Sequence, residues 1–175
     1  AVTSNYQFMG QRRLKEQERR IFRIRRKLQA KGTKSAKRHL RKLSGKLLRQ
    51  RKDHDHVISK RIVQNAKPGA TIVLENLTHI RDTSKIGGKQ NKRRFHSWSF
   101  TQLFDFIEYK ADARGIRVVK VDPRHTSQTC SKCGYQARNN RRTQSLFICR
   151  HCGYSLNADL NASINIREKY VSSRA

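Results

Sequence analysis

The chain has 175 residues, with 41 Lys or Arg against 12 Asp or Glu, so its formal net charge is +29. Such a charge repels itself in a compact protein and indicates a polyanionic partner, of which a nucleic acid is the most common kind. The sequence has no apolar run long enough to cross a bilayer, which argues against a membrane protein. Its length and its hydrophobic content of 35% suit one domain with an insert and a modest core.

The first part of the chain is predicted to form a short hairpin followed by two basic helices. Residues 1–10 have the pattern of a strand that turns near Asn5 and returns. Apolar residues then recur at helical spacing over 11–31, and again from about 35 to 65, where Val57, Ile58 and Ile62 continue the apolar stripe of the second helix. Residues 12–61 contain 21 Lys or Arg and four Asp or Glu, a net charge of +17. This helical hairpin is predicted to contact phosphates, although a run of charge is more often only a solvated face.

The following segments alternate between strands and helices. Residues 70–77 are an apolar, β-branched run that predicts a buried strand, and residues 116–121 predict a second strand. Between them, a polar, basic loop is predicted at 78–94 and an amphipathic helix at 97–114. A last helix is predicted over 157–170. This alternation indicates an α/β fold with helices packed on a sheet.

Four cysteines, the only ones in the chain, form two C-x2-C pairs separated by 15 residues. Two such turns can direct four thiolates at one ion, and a glycine after each pair allows a left-handed backbone. Disulfides are the alternative, but they are typical of small secreted chains, and a redox C-x-x-C would not explain the matching second pair. The pattern therefore predicts a structural zinc site formed by Cys130, Cys133, Cys149 and Cys152. Because four sulfurs complete the ligand shell, His151 is interpreted as a surface histidine.

Two carboxylates lie at the ends of predicted elements in a chain that has few acids. Glu75 lies at the end of the first predicted strand, and Asp159 lies in the first turn of the last helix. If both meet at the carboxyl edge of the sheet, they can hold Mg²⁺ for the hydrolysis of a phosphodiester. Alternatively, Glu75 is only a strand-end residue, and Asp159 is a helix N-terminal charge favoured by the helix dipole. The pattern by itself does not separate these two interpretations.

A series of motifs runs in order through the chain from Ile72-Val-Leu-Glu75-Asn-Leu77 onward. The others are Tyr109-Lys-Ala111, Gly115-Ile116, Val121-Asp-Pro123, Thr126-Ser-Gln-Thr-Cys130-Ser-Lys-Cys133-Gly134, Phe147-Ile-Cys149-Arg-His-Cys152-Gly153, Asp159-Leu-Asn-Ala162 and Asn165-Ile166. In these motifs the chain resembles the C-terminal half of the TnpB/OrfB transposon-encoded proteins, which are relatives of the type V CRISPR effectors.

The resemblance implies a RuvC-like, RNase H-type nuclease region with a mixed sheet, interrupted by a zinc ribbon. The expected limits are 1–126 for the nuclease region, 127–155 for the zinc ribbon and 156–175 for the last nuclease segment. The basic helical hairpin would occupy about 11–66 of the first region.

The resemblance also implies a catalytic set of Asp, Glu and Asp that binds Mg²⁺. The family's Glu falls on Glu75 and its last Asp on Asp159. Its first Asp lies in a strand that ends shortly before a segment similar to Ala1-Val-Thr-Ser4, so the chain is expected to begin after that strand and to be inactive alone. The family usually has a basic residue at the position that Ala158 occupies here.

The implied activity is that of a metal-dependent endodeoxyribonuclease associated with transposition, which hydrolyses DNA under the guidance of an RNA. DNA and guide RNA are the implied partners, no membrane is expected, and the location would be the prokaryotic cytoplasm, at the nucleoid. Two alternatives stay open: a non-catalytic zinc-ribbon protein that binds nucleic acid, as ribosomal or chromatin-like proteins do, and a transposase that joins DNA strands. The basic residues expected to contact nucleic acid are Arg19, Arg23, Arg26, Lys27, Lys34, Arg38, Arg41, Arg93, Arg94, Arg138, Arg141 and Arg142.

Overall fold

The computed structural model describes residues 1–10, 12–78, 88 and 100–174. Helices and strands alternate after the first two helices, so the predicted α/β class is confirmed. In chain order, the elements are α1 (Arg12–Lys31), α2 (Lys34–Gln64), β1 (Thr71–Glu75), α3 (Phe100–Asp112), β2 (Arg117–Val121), a 3-10 helix (Arg138–Asn140), β3 (Leu146–Ile148), β4 (Ser155–Asn157) and α4 (Ala158–Ser172).

The described residues divide into two compact units. The helical unit contains the hairpin of α1 and α2 together with α3 up to residue 110. The second unit, called here the sheet unit, contains residues 1–9, 66–78, 88 and 111–174. The domain limits expected from the sequence remain predictions. Among the helices that the structure describes, none combines the length and the apolar character needed to cross a membrane.

The helices of the helical unit pack together along a narrow apolar stripe. Gly32, with a φ of 64°, separates the two long helices, and Thr33 caps α2 by accepting a hydrogen bond from the amide of Ala36 at 3.2 Å. The residues buried in this unit include Ile21, Leu47, Ile58, Val63 and Ile107. The helical periodicity over 57–62 placed Val57 in the stripe, but it is 44% exposed.

Helix α3 contacts α2 at His56 and Ser59. The His56 ring stacks on Phe106 with 3.9 Å between ring centroids. The Lys110 ammonium donates to the carbonyl of His56 at 3.0 Å and also to the hydroxyl of the fully buried Ser59. The buried hydroxyl of Ser59 thus has a charged partner, which avoids the cost of desolvating it unpaired.

The strand and turn predicted for residues 1–10 form only one β-bridge among the described residues. Val2 and Phe8 form an isolated antiparallel bridge, and the amide of Met9 donates to the carbonyl of Ala1 at 2.8 Å. The turn between them contains Tyr6, whose φ is 61°.

The sheet unit contains two separate pairs of strands. Strands β1 and β2 are parallel and in register from Thr71 opposite Arg117 to Glu75 opposite Val121, and β3 and β4 are antiparallel. All five residues of β1 are half-buried, so the predicted strand is present but is less buried than the sequence indicated. The RNase H-like mixed sheet stays a prediction, and the loop expected at 78–94 lies outside the described residues except for Thr78 and Gly88.

Candidate functional site

The four cysteine sulfurs converge on one point. All four lie within 4.8 Å of one another, with 3.8 Å between the sulfurs of Cys130 and Cys152 and 3.6 Å between those of Cys133 and Cys149. Four sulfurs in a tetrahedron around zinc are separated by about 3.8 Å, since each Zn–S bond is near 2.3 Å. In a disulfide, by contrast, the two sulfurs are only about 2.05 Å apart. The donor set therefore fits a four-thiolate metal site and not a disulfide pair.

Two turns of the same geometry supply these sulfurs. The amide of Gly134 donates to the carbonyl of Cys130 at 2.9 Å, and the amide of Gly153 donates to that of Cys149 at 3.1 Å. Both glycines have left-handed backbones, with φ values of 76° and 69°, which a side chain would strain. We call the segments 130–135 and 149–154 the first and second knuckles.

Two buried asparagines, which sequence reasoning missed, tie the first knuckle to α4. The Asn161 carbonyl oxygen accepts from the amide of Ser131 at 3.0 Å, and its amide group donates to the carbonyl of Thr129 at 2.8 Å. Asn165, one turn later, donates to the carbonyls of Thr126 and Thr129, each at 2.7 Å. The signal in the sequence was the spacing of four residues, which places both side chains on one face of a helix.

We expect Asn161→Ala to destabilise the chain by about 1–3 kcal/mol, because the amide of Ser131 loses its partner at a buried site. The carbonyl of Thr129 would keep its hydrogen bond from Asn165. Urea denaturation followed by circular dichroism measures the difference. Asn139→Ala, which changes an exposed asparagine, is the matched control, and an equally small effect of both changes would contradict the assignment.

The two predicted catalytic carboxylates are placed by the ends of β1 and α4. Glu75 is the last residue of β1, and the amide of the next residue, Asn76, donates to the carbonyl of Val121 at 2.7 Å. Asp159 lies in the first turn of α4, where the side chain of Asn157 caps the helix by accepting from the amide of Asp159 at 3.0 Å. Glu75, which is half-buried, and Asp159, which is exposed, therefore both lie at element ends whose backbone is hydrogen-bonded.

These carboxylates interact electrostatically with each other and with one arginine. Burial raises the pKa of Glu75, the negative charge of Asp159 raises it further, and Arg141 lowers it. Arg141 is also paired with Asp159, with 2.8 Å from Nη2 to Oδ1, and the same nitrogen donates to the carbonyl of Gln144 at 2.8 Å. The structure thus brings Glu75, Asp159 and Arg141 into one cluster, which we call the acidic site.

The raised pKa of Glu75 predicts a pH-dependent stability. Folding raises this pKa, so the ionised form disfavours the folded state, and stability falls as pH rises through the shifted value. Glu75→Gln removes the charge, so in buffer without Mg²⁺ the variant is expected to melt at a higher temperature than the parent at about pH 8. The gap should narrow as pH is lowered towards about pH 5. Thermal scans across this range measure it, with the exposed Glu168→Gln as control; a gap that widens towards low pH would contradict the prediction.

Ala158, at a position where the resemblance led us to expect a basic residue, is completely buried. It packs in a cluster with Cys130, Phe147 and Cys149, and its amide donates to the carbonyl of Ser145 at 3.0 Å. A basic side chain here would have to be accommodated among buried apolar atoms and sulfurs, which is unfavourable for a charge. The small alanine is therefore explained by local packing.

The basic residues predicted to contact nucleic acid are distributed over both units. Those on α1 and α2 are exposed, and Arg38 and Arg41 lie on one face of α2 together with Lys42, Lys46 and Arg49. Within residues 127–155, which we call the ribbon, Arg138 and Arg142 are exposed, whereas Arg141 is half-buried and paired with Asp159. Arg93 and Arg94 lie outside the described residues. The predicted contacts themselves remain predictions.

Comparison with known proteins points to one family. Residues 100–166 match a family model described as Cas12f1-like, TNB domain. The chain is 43% identical over 129 residues to the CRISPR-associated endodeoxyribonuclease Cas12f1 of Sulfoacidibacillus thermotolerans, an alignment that covers 73% of this chain and 29% of that protein. It is 36% identical over 131 residues to a TnpB-like protein of Methanocaldococcus jannaschii, which covers 74% of this chain and 46% of that protein. The chain thus spans less than half the length of either relative.

Solved structures give the same result. A cryo-EM structure of a CRISPR–Cas12f ternary complex superposes with a TM-score of 0.63 at 29% identity, over 85% of this chain and 31% of that one. A Cas12f1–sgRNA–target DNA complex superposes with a TM-score of 0.60 at 29% identity, over 83% and 41% of the two chains. These similarities confirm the resemblance found in the motifs: the chain belongs to the TnpB family and is a relative of the Cas12f1 effectors.

Proposed function

We propose that the chain is the nuclease half of a TnpB-like protein that hydrolyses DNA under the guidance of an RNA, with Glu75 and Asp159 as ligands of catalytic Mg²⁺. The observation that carries the proposal is the acidic site, where two carboxylates from distant parts of the sequence interact in a strongly basic chain. The relatives that the chain resembles include an endodeoxyribonuclease and an effector solved with a guide RNA and target DNA.

The donor set of the acidic site fits a hard divalent cation. Mg²⁺ is commonly held in proteins by one or two carboxylates together with phosphate oxygens and water. The negative charge of Asp159 raises the pKa of Glu75, so the two carboxylates repel each other, and a bound cation would relieve this repulsion. When bound, Mg²⁺ supplies an activated water and stabilises the charge that develops on a phosphodiester.

The chain's own residues orient this site. The backbone pairing of β1 with β2 holds Glu75, and the cap of Asn157 holds the first turn of α4, which carries Asp159. Arg141, which the carbonyl of Gln144 anchors, fixes the carboxylate of Asp159 and offsets part of the negative charge. The backbone contacts thus fix where both acids begin, and the ion pair with Arg141 limits the rotamer freedom that Asp159 would lose on binding a cation and a substrate.

The remaining parts of the chain support the binding of nucleic acid. We propose that the four cysteines hold a structural zinc, since four protein ligands leave no open position for catalysis. We also propose that the nuclease region is RNase H-like (RuvC), with the ribbon inserted before α4. The basic hairpin, with its net charge of +17 over residues 12–61, would contact the phosphates of the RNA and DNA.

The test is a cleavage assay with the complete gene product that contains this chain. Purified protein is incubated with Mg²⁺, the co-purifying RNA and a library of linear DNA targets, and the products are sequenced. Hydrolysis at defined sites that depends on both RNA and Mg²⁺ supports the proposal. Joined DNA strands would support a transposase instead, and binding without any cleavage would support a non-catalytic zinc-ribbon protein. The nucleoid location inferred above stays a prediction.

A further inference from the structure

The amino ends of β1 and β2 lie at the opposite end of the strand pair from the acidic site. Thr71, the first residue of β1, is paired with Arg117, the first residue of β2. Residues in register on neighbouring strands present their side chains to the same face of a sheet. The Thr71 hydroxyl and the Arg117 guanidinium therefore share one face.

Short turns hold these two strand ends in place. The amide of Ala70 donates to the carbonyl of Lys67 at 3.1 Å just before β1, and the amide of Ile116 donates to the carbonyl of Ala111 at 2.9 Å just before β2. The backbone positions from which the two side chains extend are therefore fixed by hydrogen bonds.

The end of α4 brings a phenol and a second arginine to the same place. The hydroxyl groups of Tyr170 and Thr71 share a hydrogen bond, and Nη1 of Arg174 donates to the Tyr170 oxygen at 3.0 Å. The Arg174 guanidinium also lies 5.5 Å from the centroid of the Tyr170 ring. We call this group of side chains the arginine cluster: Thr71, Arg117, Tyr170 and Arg174.

The arginine cluster carries two positive charges. Among the residues that the structure describes, neither Arg117 nor Arg174 is paired with a carboxylate. Residues 113–121, which contain β2, include three Lys or Arg and no Asp or Glu. Both arginines of the cluster are exposed, so an anion from solution can reach them.

The Tyr170 oxygen shows that this position favours negative charge. Its hydrogen bond with Thr71 lowers the pKa of the half-buried phenol, and the positive charges of Arg174 and Arg117 lower it too, although desolvation acts in the opposite direction. The two hydroxyl groups also have two protons, of which their shared hydrogen bond uses one. The other can be donated to a bound anion.

Phosphate is the anion that best fits these donors in a chain of this charge. Guanidinium groups bind phosphate oxygens through parallel N–H donors, and Thr and Tyr hydroxyls are also common donors to the phosphates of DNA. We propose that the arginine cluster binds one phosphate group of a nucleic-acid strand.

This inference rests on the proposed function and adds to it a phosphate contact away from the acidic site. Thr71 and Glu75 are the first and last residues of the five-residue strand β1, so they face the same side of the sheet and begin about 13 Å apart. Because phosphate contacts set the register of a strand without reading its sequence, the cluster is expected to bind any sequence.

The test follows Tyr170 directly in the complete gene product, stripped of nucleic acid at high salt and kept without Mg²⁺. Its tyrosines are replaced by 3-fluorotyrosine, and the fluorine resonance of Tyr170 is identified by its loss in Tyr170→Phe. Inorganic phosphate, a short single DNA strand with a 5′-phosphate and the same strand with a 5′-hydroxyl are titrated at constant ionic strength. We expect a saturable shift of this resonance with phosphate and with DNA, and the two strands distinguish a terminal phosphate from an internal one.

Neutralising both arginines should remove the effect. In the double variant Arg117→Gln, Arg174→Gln the shift should disappear, and the slope of log affinity for single-stranded DNA against log salt should fall by about 0.7, as expected for one lost phosphate contact. Arg167→Gln, which removes a charge from the same helix as Tyr170, is the matched control and should change neither. Both variants should melt close to the parent, since all three arginines are exposed.

The proposal is overturned if phosphate shifts the Tyr170 resonance no more than chloride does at the same ionic strength, or if the double variant keeps the shift. A shift with inorganic phosphate that neither DNA strand reproduces would contradict the assignment to nucleic acid. A negative result leaves the cleavage proposal intact, since that proposal depends on Glu75 and Asp159 and is measured by DNA products.

Discussion

Asp159→Asn is expected to abolish DNA cleavage by the complete gene product while its binding to nucleic acid is retained. The substitution removes a carboxylate from the acidic site but keeps the shape of the side chain. Loss of a residue that only supports a metal ligand typically costs about 10- to 100-fold in affinity or activity, so loss of a proposed ligand should cost at least about 100-fold. Glu75→Gln is expected to have an effect of the same size. Quantitative cleavage of a labelled DNA target at saturating protein measures both.

The same variants should remain folded. The side chain of Asp159 is 51% exposed and its ion pair with Arg141 lies at the surface, where such pairs contribute about 0–1 kcal/mol. Glu168→Gln, which removes a carboxylate from a later turn of the same helix, is the matched control and should cleave normally. Full cleavage by both Asp159→Asn and Glu75→Gln would exclude these residues as metal ligands and favour the non-catalytic alternative.

Cys149→Ser is expected to release the metal and to unfold the ribbon. The sulfur of Cys149 is nearly inaccessible and lies in the same cluster as Phe147 and Ala158, so losing the metal also opens the apolar contacts around it. A structural zinc in small domains contributes an apparent binding free energy of about 10–16 kcal/mol, which exceeds what a small core supplies. We therefore expect one zinc per chain in the parent by elemental analysis, and substoichiometric zinc in Cys149→Ser.

The extent of unfolding can be followed by amide hydrogen exchange. Protection should be lost over residues 127–155 and in the first turns of α4, since Asn161 and Asn165 connect that helix to the segment around the first knuckle. His151→Ala is the control within the second knuckle and should retain one zinc, because its imidazole is not among the four ligands. A variant Cys149→Ser that keeps its zinc and its protection would refute the four-cysteine site.

Local patterns were sufficient for most of the secondary structure. Helices α1 and α2 lie within one residue of their predicted bounds. Helical periodicity, the turn at Gly32 and the N-cap at Thr33 all depend on residues that are close in sequence, so the sequence shows them directly. The strand and its return predicted over residues 1–10 are shorter than expected. Only Val2 and Phe8 are paired, because the alternating pattern indicates strands but does not show how many of their residues pair. The periodicity also misplaced Val57, since periodicity marks an apolar stripe but not which of its members the partner helix covers.

The cysteine site could be predicted from local sequence, whereas the acidic site depends on tertiary packing. The sequence by itself determined the four thiols and the knuckle glycines, because C-x-x-C-G encodes a turn whose geometry depends on a few adjacent residues. Only the tertiary structure decided that Glu75 and Asp159 interact, that Arg141 is paired with Asp159, and that the side chains of the arginine cluster lie together. Each of these depends on how β1, α4 and the ribbon pack across large separations in sequence, and packing of that kind leaves no periodic or spacing signal in a single chain.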